Sequence, residues 1–295
     1  MKKYRIAGIG ELLWDLFPTG REMGGAPANF AYHVQSLGGE GIPVSSVGDD
    51  EPGAAILKRC RSLSLDTQYI TRDKEHPTGT TSVTIDAQGK PSYNIHENVA
   101  WDFIRRTASL SRLAGRVDAV CFGGLGQRAE VSRDTIRWFV RKARKQALCI
   151  FDVTLRQSFY SREMIESSLR IAHVLKLSEE ELETLAGLFS LEGDETAMIK
   201  QLSNKYNFRL VAYTRGERGS ILYSRGEISE HPGYRVKVVD TVGAGDSFTA
   251  ALALGMLTGK QLDAVNDAAN RVASFVCSQQ GATPVLPEEL RRIYQ

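Results

Sequence analysis

Short, mostly apolar runs alternate with amphipathic runs along most of the chain. Runs such as "YRIAGIG", "IPVSSVG" and "LCIFDV" are typical of buried strands. Between them lie helical patterns such as "APANFAYHVQSLGG", where Phe30, Val34 and Leu37 form one apolar stripe and Gly38 follows it. Strands separated by helices of this length imply right-handed crossovers and a mostly parallel sheet covered by helices on both faces. The pattern therefore predicts an α/β fold, with further strands at "DAVCFGG", "HVLKLS" and "FRLVAYTRG" and further helices at "DEPGAAILKRCRSL", "SRDTIRWFVRKARKQ", "REMIESSLRIA" and "EEELETLAGLF".

One region departs from this alternation. "TGTTSVTIDAQGKPSYNIHENVAWD" contains two runs in which polar and apolar residues alternate, joined by "AQGKP" with Gly89 in the turn. Period-two runs around a glycine-containing turn predict a β-hairpin. Together with "LLWDLFP", this hairpin is expected to form a small sheet standing off the main one. An ordinary hairpin at the edge of the main sheet is the alternative.

The length suits one large α/β domain or two smaller ones, and we expect a single domain over residues 1–295. Hydrophobic residues make up 42% of the chain and charged residues 24%, which is ordinary for a protein with a substantial core. Lys and Arg number 37 against 35 for Asp and Glu, so the net charge of +2 gives no reason to expect nucleic acid as a partner.

The same features argue for a cytoplasmic protein that is not attached to a membrane. No apolar run approaches the ~20 residues that a membrane helix needs, and the N-terminus lacks the pattern of a signal peptide. The four cysteines are far apart and form no C-x-x-C pair, so neither a disulfide framework nor a zinc site is expected.

Two stretches carry candidate chemistry. In "DTVGAGDSFTAALALGML", the residues Gly243 to Gly245 leave backbone amides unshielded just before an apolar helix. A helix start of this kind binds anions, because its N–H groups lack partners and the helix dipole favours negative charge. The composition favours Asp246 as a simple helix cap; if the turn holds a phosphoryl group, Asp246 is instead placed to act as a base. In "MGGAPANF", the Gly24–Gly25 pair allows close approach of another group to the backbone, and Asn29 offers both a donor and an acceptor to a polyol. A capped helix start without a ligand is the alternative for this stretch.

Together, "GGAPANFAYHVQSLGG" and "DTVGAGDSFTAAL" resemble the two signatures of the ribokinase-like (PfkB) sugar kinases, and the resemblance covers nearly the whole chain. Within this family the chain is most similar to fructokinases, because its first strand runs into "GELLWDLFP". The resemblance implies a ribokinase-like fold with a β-sheet lid formed by segments near 11–19 and 79–100. It also implies ATP-dependent phosphorylation of a primary hydroxyl group of a small sugar, with fructose as the first candidate.

The resemblance also implies roles for individual residues. It assigns the catalytic base to Asp246 and the anion hole for the transferring phosphoryl group to Gly243, Ala244 and Gly245. The sugar-binding positions are Asp15, Gly25 and Asn29, with Arg156 near the substrate or the phosphates. The nucleotide-binding positions are Thr214, Gly216 and Asn270. Glu181 is implied in handling Mg²⁺, while Asp240, Val242 and the loop around Gly281 resemble a monovalent-cation site, which makes K⁺ a further candidate cofactor.

Two positions depart from the family pattern. Ser178 stands where Asn is usual in the acidic motif, although a serine can still bind a water molecule of hydrated Mg²⁺. Thr154 stands where many relatives carry Asn, which argues against a direct contact of this residue with the nucleotide.

Several alternatives stay open. The substrate is fructose, or else ribose, a nucleoside or a keto-deoxy sugar acid, and a sugar acid needs a cation such as Arg105, Arg106 or Arg156. A catalytically silent sugar-binding protein is the alternative to an enzyme, but it has no use for the base at Asp246. In the lid, His96 is a candidate for covering the sugar. Tyr93 and Trp101 either stack on the sugar or pack in the sheet. The exposed strand edges of a lid predict a homodimer in which two lids pair.

Overall fold

The computed structural model describes residues 3–18, 20–85, 91–143 and 145–294. The strands in these residues are β1 (Arg5–Ile9), β2 (Leu13–Phe17), β3 (Gly20–Gly24), β4 (Glu40–Gly48), β5 (Ile70–Asp73), β6 (Gly79–Ile85), β7 (Pro91–Ile95), β8 (Ala119–Gly123), β9 (Leu148–Asp152), β10 (Val174–Ser178), β11 (Leu210–Thr214), β12 (Ser220–Ser224) and β13 (Glu227–His231). The helices are α1 (Ala26–Ser36), α2 (Glu51–Ser62), α3 (Ala108–Ala114), α4 (Glu130–Lys142), α5 (Arg162–Leu169), α6 (Glu179–Phe189), α7 (Glu195–Tyr206), α8 (Ala244–Leu257), α9 (Leu262–Cys277) and α10 (Glu288–Arg291). Short 3₁₀ turns lie at Ala100–Phe103, Leu125–Gln127 and Gly216–Arg218.

The main sheet confirms the predicted α/β fold. Within the described residues it has nine strands in the order β13-β12-β11-β10-β9-β8-β1-β4-β5. The strands from β11 to β5 are parallel to one another, as the alternation of strands and helices predicted. The antiparallel edge formed by β12 and β13 was not predicted from the sequence.

The chain changes direction along this sheet at β1. From β1 it proceeds outwards through β4 and β5, and it then returns to β8 on the other side of β1. In open α/β sheets such a switch point leaves a crevice at the carboxyl ends of the strands, where ligands bind. The residues that follow β1 and β8 therefore border the expected ligand site.

Helices cover both faces of the main sheet, because each face has its own apolar core. One core is built from the buried sides of α3 to α7. The other core contains α1, α8, α9 and α10. Helix α8 is apolar on nearly all sides, so it is buried, and the residues at its start are fixed within the fold.

The small sheet, which consists of β2, β3, β6 and β7, confirms the predicted second sheet. Its order is β3-β2-β6-β7, and the hairpin of β6 and β7 belongs to this sheet instead of to the edge of the main one. The strand β3 was not predicted. The predicted turn at Gly89 and the side chain of Tyr93 lie outside the described residues.

For Trp101 the packing alternative is confirmed. Its side chain is fully buried, and the guanidinium group of Arg128 lies 3.9 Å from the ring centroid. It packs with apolar residues beneath the small sheet, among them Leu13 and Ile95. Trp101 therefore has no free face for a ligand.

None of the helices in the described part of the chain is both long enough and apolar enough to span a bilayer.

Candidate active site

The start of α8 is shaped by glycine. The N-cap residue Gly243 has φ +78°, and a Cβ atom there would lie 2.7 Å from the Cα atom of Ala282, so no other residue fits without strain. Asp246 is the third residue of the helix, and the cap is Gly243, so the interpretation of Asp246 as a helix cap is wrong. The amide of Ala244 donates to the carbonyl of Thr241 at 3.3 Å, whereas the amides of Gly245 and Asp246 have no helical carbonyl one turn earlier, as the anion-site prediction requires.

The carboxylate of Asp246 faces α1. Its Oδ2 atom accepts a hydrogen bond of 2.9 Å from Nδ2 of Asn29, although 217 residues separate the two. The other polar atom of that amide, Oδ1 of Asn29, is buried and has no partner in the described residues, so it is available to a ligand hydroxyl. Burial, and after it the negative charge of Asp152, raises the pKa of Asp246 to about 6.

The turn before α1 brings the predicted sugar-binding residues together. A Cβ atom at Gly24 would lie 2.3 Å from Oδ2 of Asp15, so glycine at this position leaves room for the carboxylate. Gly25 has φ +117°, and its carbonyl accepts from the amide of Asn29 in the first turn of α1. Burial raises the pKa of Asp15 to about 6, although a hydrogen bond from Thr81 acts in the opposite direction.

Arg156 lies close to these acids. Its side chain is exposed, and its positive charge lowers the pKa of each of Glu11, Asp15 and Asp246, against the larger effect of burial. The loop that carries it includes Thr154 at φ +42°, a conformation that Asn adopts more readily than a β-branched residue. This preference gives a backbone reason for the Asn that the family pattern places there.

The other two candidate arginines point elsewhere. Arg105 pairs with Glu75, and Arg106 lies over the ring of Trp138. Of the three cations considered for a sugar acid, Arg156 is therefore the one beside the acids.

Glu11 is a site residue that the sequence analysis missed. It follows β1 at the switch point, is almost fully buried, and its Oε2 atom has no partner among the described residues. Burial raises the pKa of Glu11 to about 7, and the charge of Asp246 acts in the same direction. A signal was present, since Glu11 is a charged residue within the apolar run "AGIGELLW".

Lys176 and Asp152 form a second missed feature. The two side chains are less than a tenth exposed, and Nζ of Lys176 donates to Oδ1 of Asp152 at 3.0 Å. A Cβ atom at Gly245 would lie 3.0 Å from this Nζ, so the lysine lies directly behind the first turn of α8. Thr249 donates to the other oxygen of Asp152. Burial disfavours the lysine charge, but the charges of Asp152 and Glu181 outweigh that effect and raise its pKa.

The residues predicted to bind the nucleotide are at the carboxyl end of the sheet and in α9. Thr214 is the last residue of β11, and Gly216 begins the following 3₁₀ turn with φ +55° and open space beside it. Asn270 is buried, and its Nδ2 atom donates to Ser220 and Asn266. These bonds join α9 to the antiparallel edge of the main sheet. They also engage the donor atom Nδ2 of Asn270 with protein acceptors instead of with a ligand.

The residues predicted to bind cations are engaged with backbone amides. Glu181 accepts from the amides of Ser178 and Leu155, and Ser178 accepts in turn from the amide of Glu181, which is a capping box for α6. Asp240 accepts from the amides of Val242 and Gly281. The structure thus brings together the two segments of the predicted monovalent-cation site.

His96 does not face the predicted sugar-binding residues. Its ring nitrogens are bonded to the hydroxyl groups of Thr80 and Ser82. These two residues alternate along β6 with Thr81, which is paired with Asp15, so they lie on the opposite face of the small sheet.

The chain is similar to known proteins over nearly its whole length. The model of the family described as pfkB family carbohydrate kinase matches residues 12–289. Fructokinase-1 of Oryza sativa subsp. japonica is 30% identical over 97% of this chain and 95% of its own. The fructokinase of Escherichia coli is 29% identical and covers 95% of both chains. The crystal structure of an uncharacterized sugar kinase from Pyrococcus horikoshii in complex with ATP has a TM-score of 0.82 and 29% identity, and covers 98% of this chain and 99% of that one.

Proposed function

The chain belongs to the pfkB family of carbohydrate kinases, as its two sequence motifs predicted, and we propose that it transfers the terminal phosphoryl group of ATP to a primary hydroxyl group of fructose. The observation that carries this proposal is the position of Asp246. It is a half-buried carboxylate in the first turn of α8, which begins without bulky side chains, and its Oδ2 atom accepts a hydrogen bond from the side-chain amide of Asn29 in α1.

In the proposed mechanism Asp246 is the general base. Asn29 occupies Oδ2 of the carboxylate, which leaves Oδ1 to accept the proton of the sugar hydroxyl. As the hydroxyl oxygen forms its bond to the terminal phosphorus of ATP, the bond from that phosphorus to the bridging oxygen breaks and ADP leaves. With a pKa of about 6, Asp246 is mostly ionised at neutral pH and can take the proton.

The start of α8 would stabilise the charge of the phosphoryl group. Gly243, Ala244 and Gly245 supply amides without bulky side chains, and the helix dipole adds to their effect. The positive charge of Lys176 lies behind Gly245 and acts in the same direction. Phosphoryl transfer depends chiefly on such positioning and electrostatic stabilisation.

We expect Mg²⁺ to accompany ATP. Both oxygens of Glu181 already accept from backbone amides, so Glu181 and Ser178 suit contacts with metal-bound water better than direct coordination. When bound, the ion would neutralise charge on the phosphates. K⁺ is proposed as a second cation near Asp240, where backbone carbonyls of the two adjoining segments would provide most of the ligands.

The character of the pocket favours a neutral sugar over a sugar acid. Glu11, Asp15 and Oδ1 of Asn29 are hydrogen-bond acceptors, and they suit the hydroxyl groups of a polyol. Arg156 is the one cation found beside them in the described residues. A carboxylate ligand would therefore meet more negative than positive charge.

We propose that the small sheet acts as a lid of a single kinase domain, residues 1–295. A Cβ atom at Gly281 would lie 3.7 Å from Oε2 of Glu22 in β3, so the small sheet reaches the loop beside the glycine-rich start of α8. Closure over the sugar would exclude water and limit hydrolysis of ATP.

The experiment that tests the proposed function is a coupled assay of ADP release. Fructose, glucose, ribose, adenosine and a keto-deoxy sugar acid are compared, and we expect fructose to give the highest kcat/KM. A higher kcat/KM for the sugar acid would show that the sugar acid, and not fructose, is the preferred substrate. Sugar binding without turnover for any compound would instead indicate a silent sugar-binding protein.

Replacing Asn29 by alanine is expected to weaken sugar binding about tenfold, because the pocket loses an acceptor and the orientation of Asp246. ATP binding should stay within about twofold, since Asn29 lies on the sugar side of the base. Calorimetry with each ligand separately measures both constants. Equal weakening of both would show that Asn29 is not specific to the sugar.

We propose a homodimer formed by pairing of two lids. The edge strands β3 and β7 have no neighbouring strand in the described residues, and Leu16 of β2 is exposed. Solution scattering should give twice the 32.6 kDa of one chain. A single monomeric species at all concentrations would contradict this proposal.

A reducing, cytoplasmic location is also proposed. The four cysteines are unpaired, and burial raises the pKa of the Cys149 thiol to about 11, so this group is poorly reactive.

A further inference from the structure

Among the described residues, helix α1 makes three side-chain hydrogen bonds with the C-terminal part of the chain, all from one face. Asn29, Tyr32 and His33 are at positions i, i+3 and i+4, which lie together on a helix. Asn29 contacts Asp246. The hydroxyl group of Tyr32 donates to the carbonyl of Pro284 at 2.9 Å, and Nε2 of His33 lies 2.9 Å from the carbonyl oxygen of Ala282.

The segment held by these two side chains, residues 281–284, in turn supports the phosphoryl-binding turn, residues 240–245. The amide of Gly281 donates to one oxygen of Asp240, and the amide of Val242 donates to the other. Ala282 lies against Gly243, where even a single added carbon atom would come within 2.7 Å of it. A shift of segment 281–284 must therefore move the turn.

Burying His33 costs free energy that an apolar side chain at this position would not cost. Its side chain has no exposed surface, and its Nδ1 atom has no partner in the described residues. Burial lowers its pKa to about 4, so the ring is neutral at physiological pH and carries its proton on Nε2, facing the carbonyl oxygen. A leucine would fill the space without leaving a polar atom unsatisfied, but it could not hold Ala282.

We propose that Tyr32 and His33 are positioning residues, which fix the phosphoryl-binding turn relative to the sugar-binding end of α1 through segment 281–284. This inference rests on the proposed function, because it assigns the turn to the phosphoryl group and α1 to the sugar. Helix α1 would then set the distance between the sugar hydroxyl group and the terminal phosphorus atom of ATP.

Three variants separate this role from a general contribution to stability. Tyr32→Phe removes one hydroxyl group, His33→Leu removes the donor while filling the volume, and His33→Gln keeps an N–H donor at similar reach. The matched control is Tyr294→Phe, which removes another buried tyrosine hydroxyl bonded to a carbonyl, that of Ala251, away from the turn. All four are compared with the wild type by thermal unfolding, steady-state kinetics and amide hydrogen exchange.

We expect kcat to fall about 3–10-fold in Tyr32→Phe and about 100-fold in His33→Leu, because a misplacement of about 1 Å has an effect of this size. The KM for the sugar should stay within about threefold, and His33→Gln should recover most of kcat. Tyr294→Phe should lose thermal stability without a change in kcat. Equal losses of stability in Tyr32→Phe, His33→Leu and Tyr294→Phe, with kcat unchanged, would overturn the proposal.

Amide exchange tests the positioning without any substrate. Exchange in residues 240–245 and 281–284 should accelerate in Tyr32→Phe and His33→Leu and stay unchanged in Tyr294→Phe. Unchanged exchange in the first two would overturn the proposal, even if no sugar proves to be a substrate. Absence of turnover in the wild type, by contrast, counts against the proposed function alone.

Discussion

Asp246→Asn is expected to lower kcat about 10³-fold, because asparagine cannot take the proton of the sugar hydroxyl and general-base catalysis typically contributes 10²–10⁴-fold. The substitution keeps the shape of the side chain and the contact with Asn29. The Kd for ATP should stay nearly unchanged, since the proposed base acts on the sugar. Steady-state kinetics with fructose and calorimetry with ATP measure the two effects. The control is Asp263→Asn, an exposed acid in the first turn of α9, which should retain full activity.

The pH dependence of kcat/KM tests whether Asp246 is the general base. The base must be ionised, so kcat/KM of the wild type should rise with pH through about 6 and fall tenfold per unit below that. The residual activity of Asp246→Asn should lack this limb, whereas Glu11→Gln should keep it at nearly the same pH, because Glu11, with a pKa of about 7, is mostly protonated where Asp246 titrates. Turnover near the wild-type value in Asp246→Asn would show that another group takes the proton.

Lys176→Met is expected to lower the free energy of unfolding by about 3–5 kcal/mol, because it leaves the buried carboxylate of Asp152 without its counter-charge. Burial raises the pKa of Asp152, so this group can escape the penalty by taking up a proton as the pH falls. The deficit should therefore be larger at pH 8 than at pH 5 in urea unfolding. Lys58→Met, an exposed lysine of α2, should change stability by less than about 0.5 kcal/mol.

A double variant separates the stability of this pair from its electrostatic role. In Asp152→Asn/Lys176→Met the carboxylate that bonds to the lysine is neutralised together with it, so most of the lost stability should return. Activity should remain reduced, because the positive charge behind Gly245 is still absent. Full recovery of activity in the double variant would show that Lys176 serves the fold alone. An unchanged stability in the single variant would show that the pair is solvated in solution.

Much of the fold was predictable, because the relevant signals are local. The helix predicted at "DEPGAAILKRCRSL" is α2, with Asp50 as its N-cap, and α6 has the bounds of its apolar pattern. The capping box of Ser178 and Glu181 was also readable, since a serine followed three positions later by glutamate precedes an apolar run. It was interpreted only as a departure from a metal-related motif. The antiparallel edge was missed, although its signal is local too: β12 and β13 form a hairpin joined by Arg225 and Gly226, at φ +49° and +96°.

In the candidate site, too, some features depend on neighbouring residues in the sequence and others on the packing of distant elements. The glycine-rich helix start, the Gly24–Gly25 turn and the alternation of most strands and helices along the chain were predictable, since each depends on residues a few positions apart. The contact between Asp246 and Asn29, by contrast, follows from the packing of α8 against α1, and the cap of α8 is Gly243 instead of Asp246. The same holds for the pairing of Lys176 with Asp152. Contacts of this kind depend on how distant helices and strands pack, and burial then sets the pKa values that no local pattern contains.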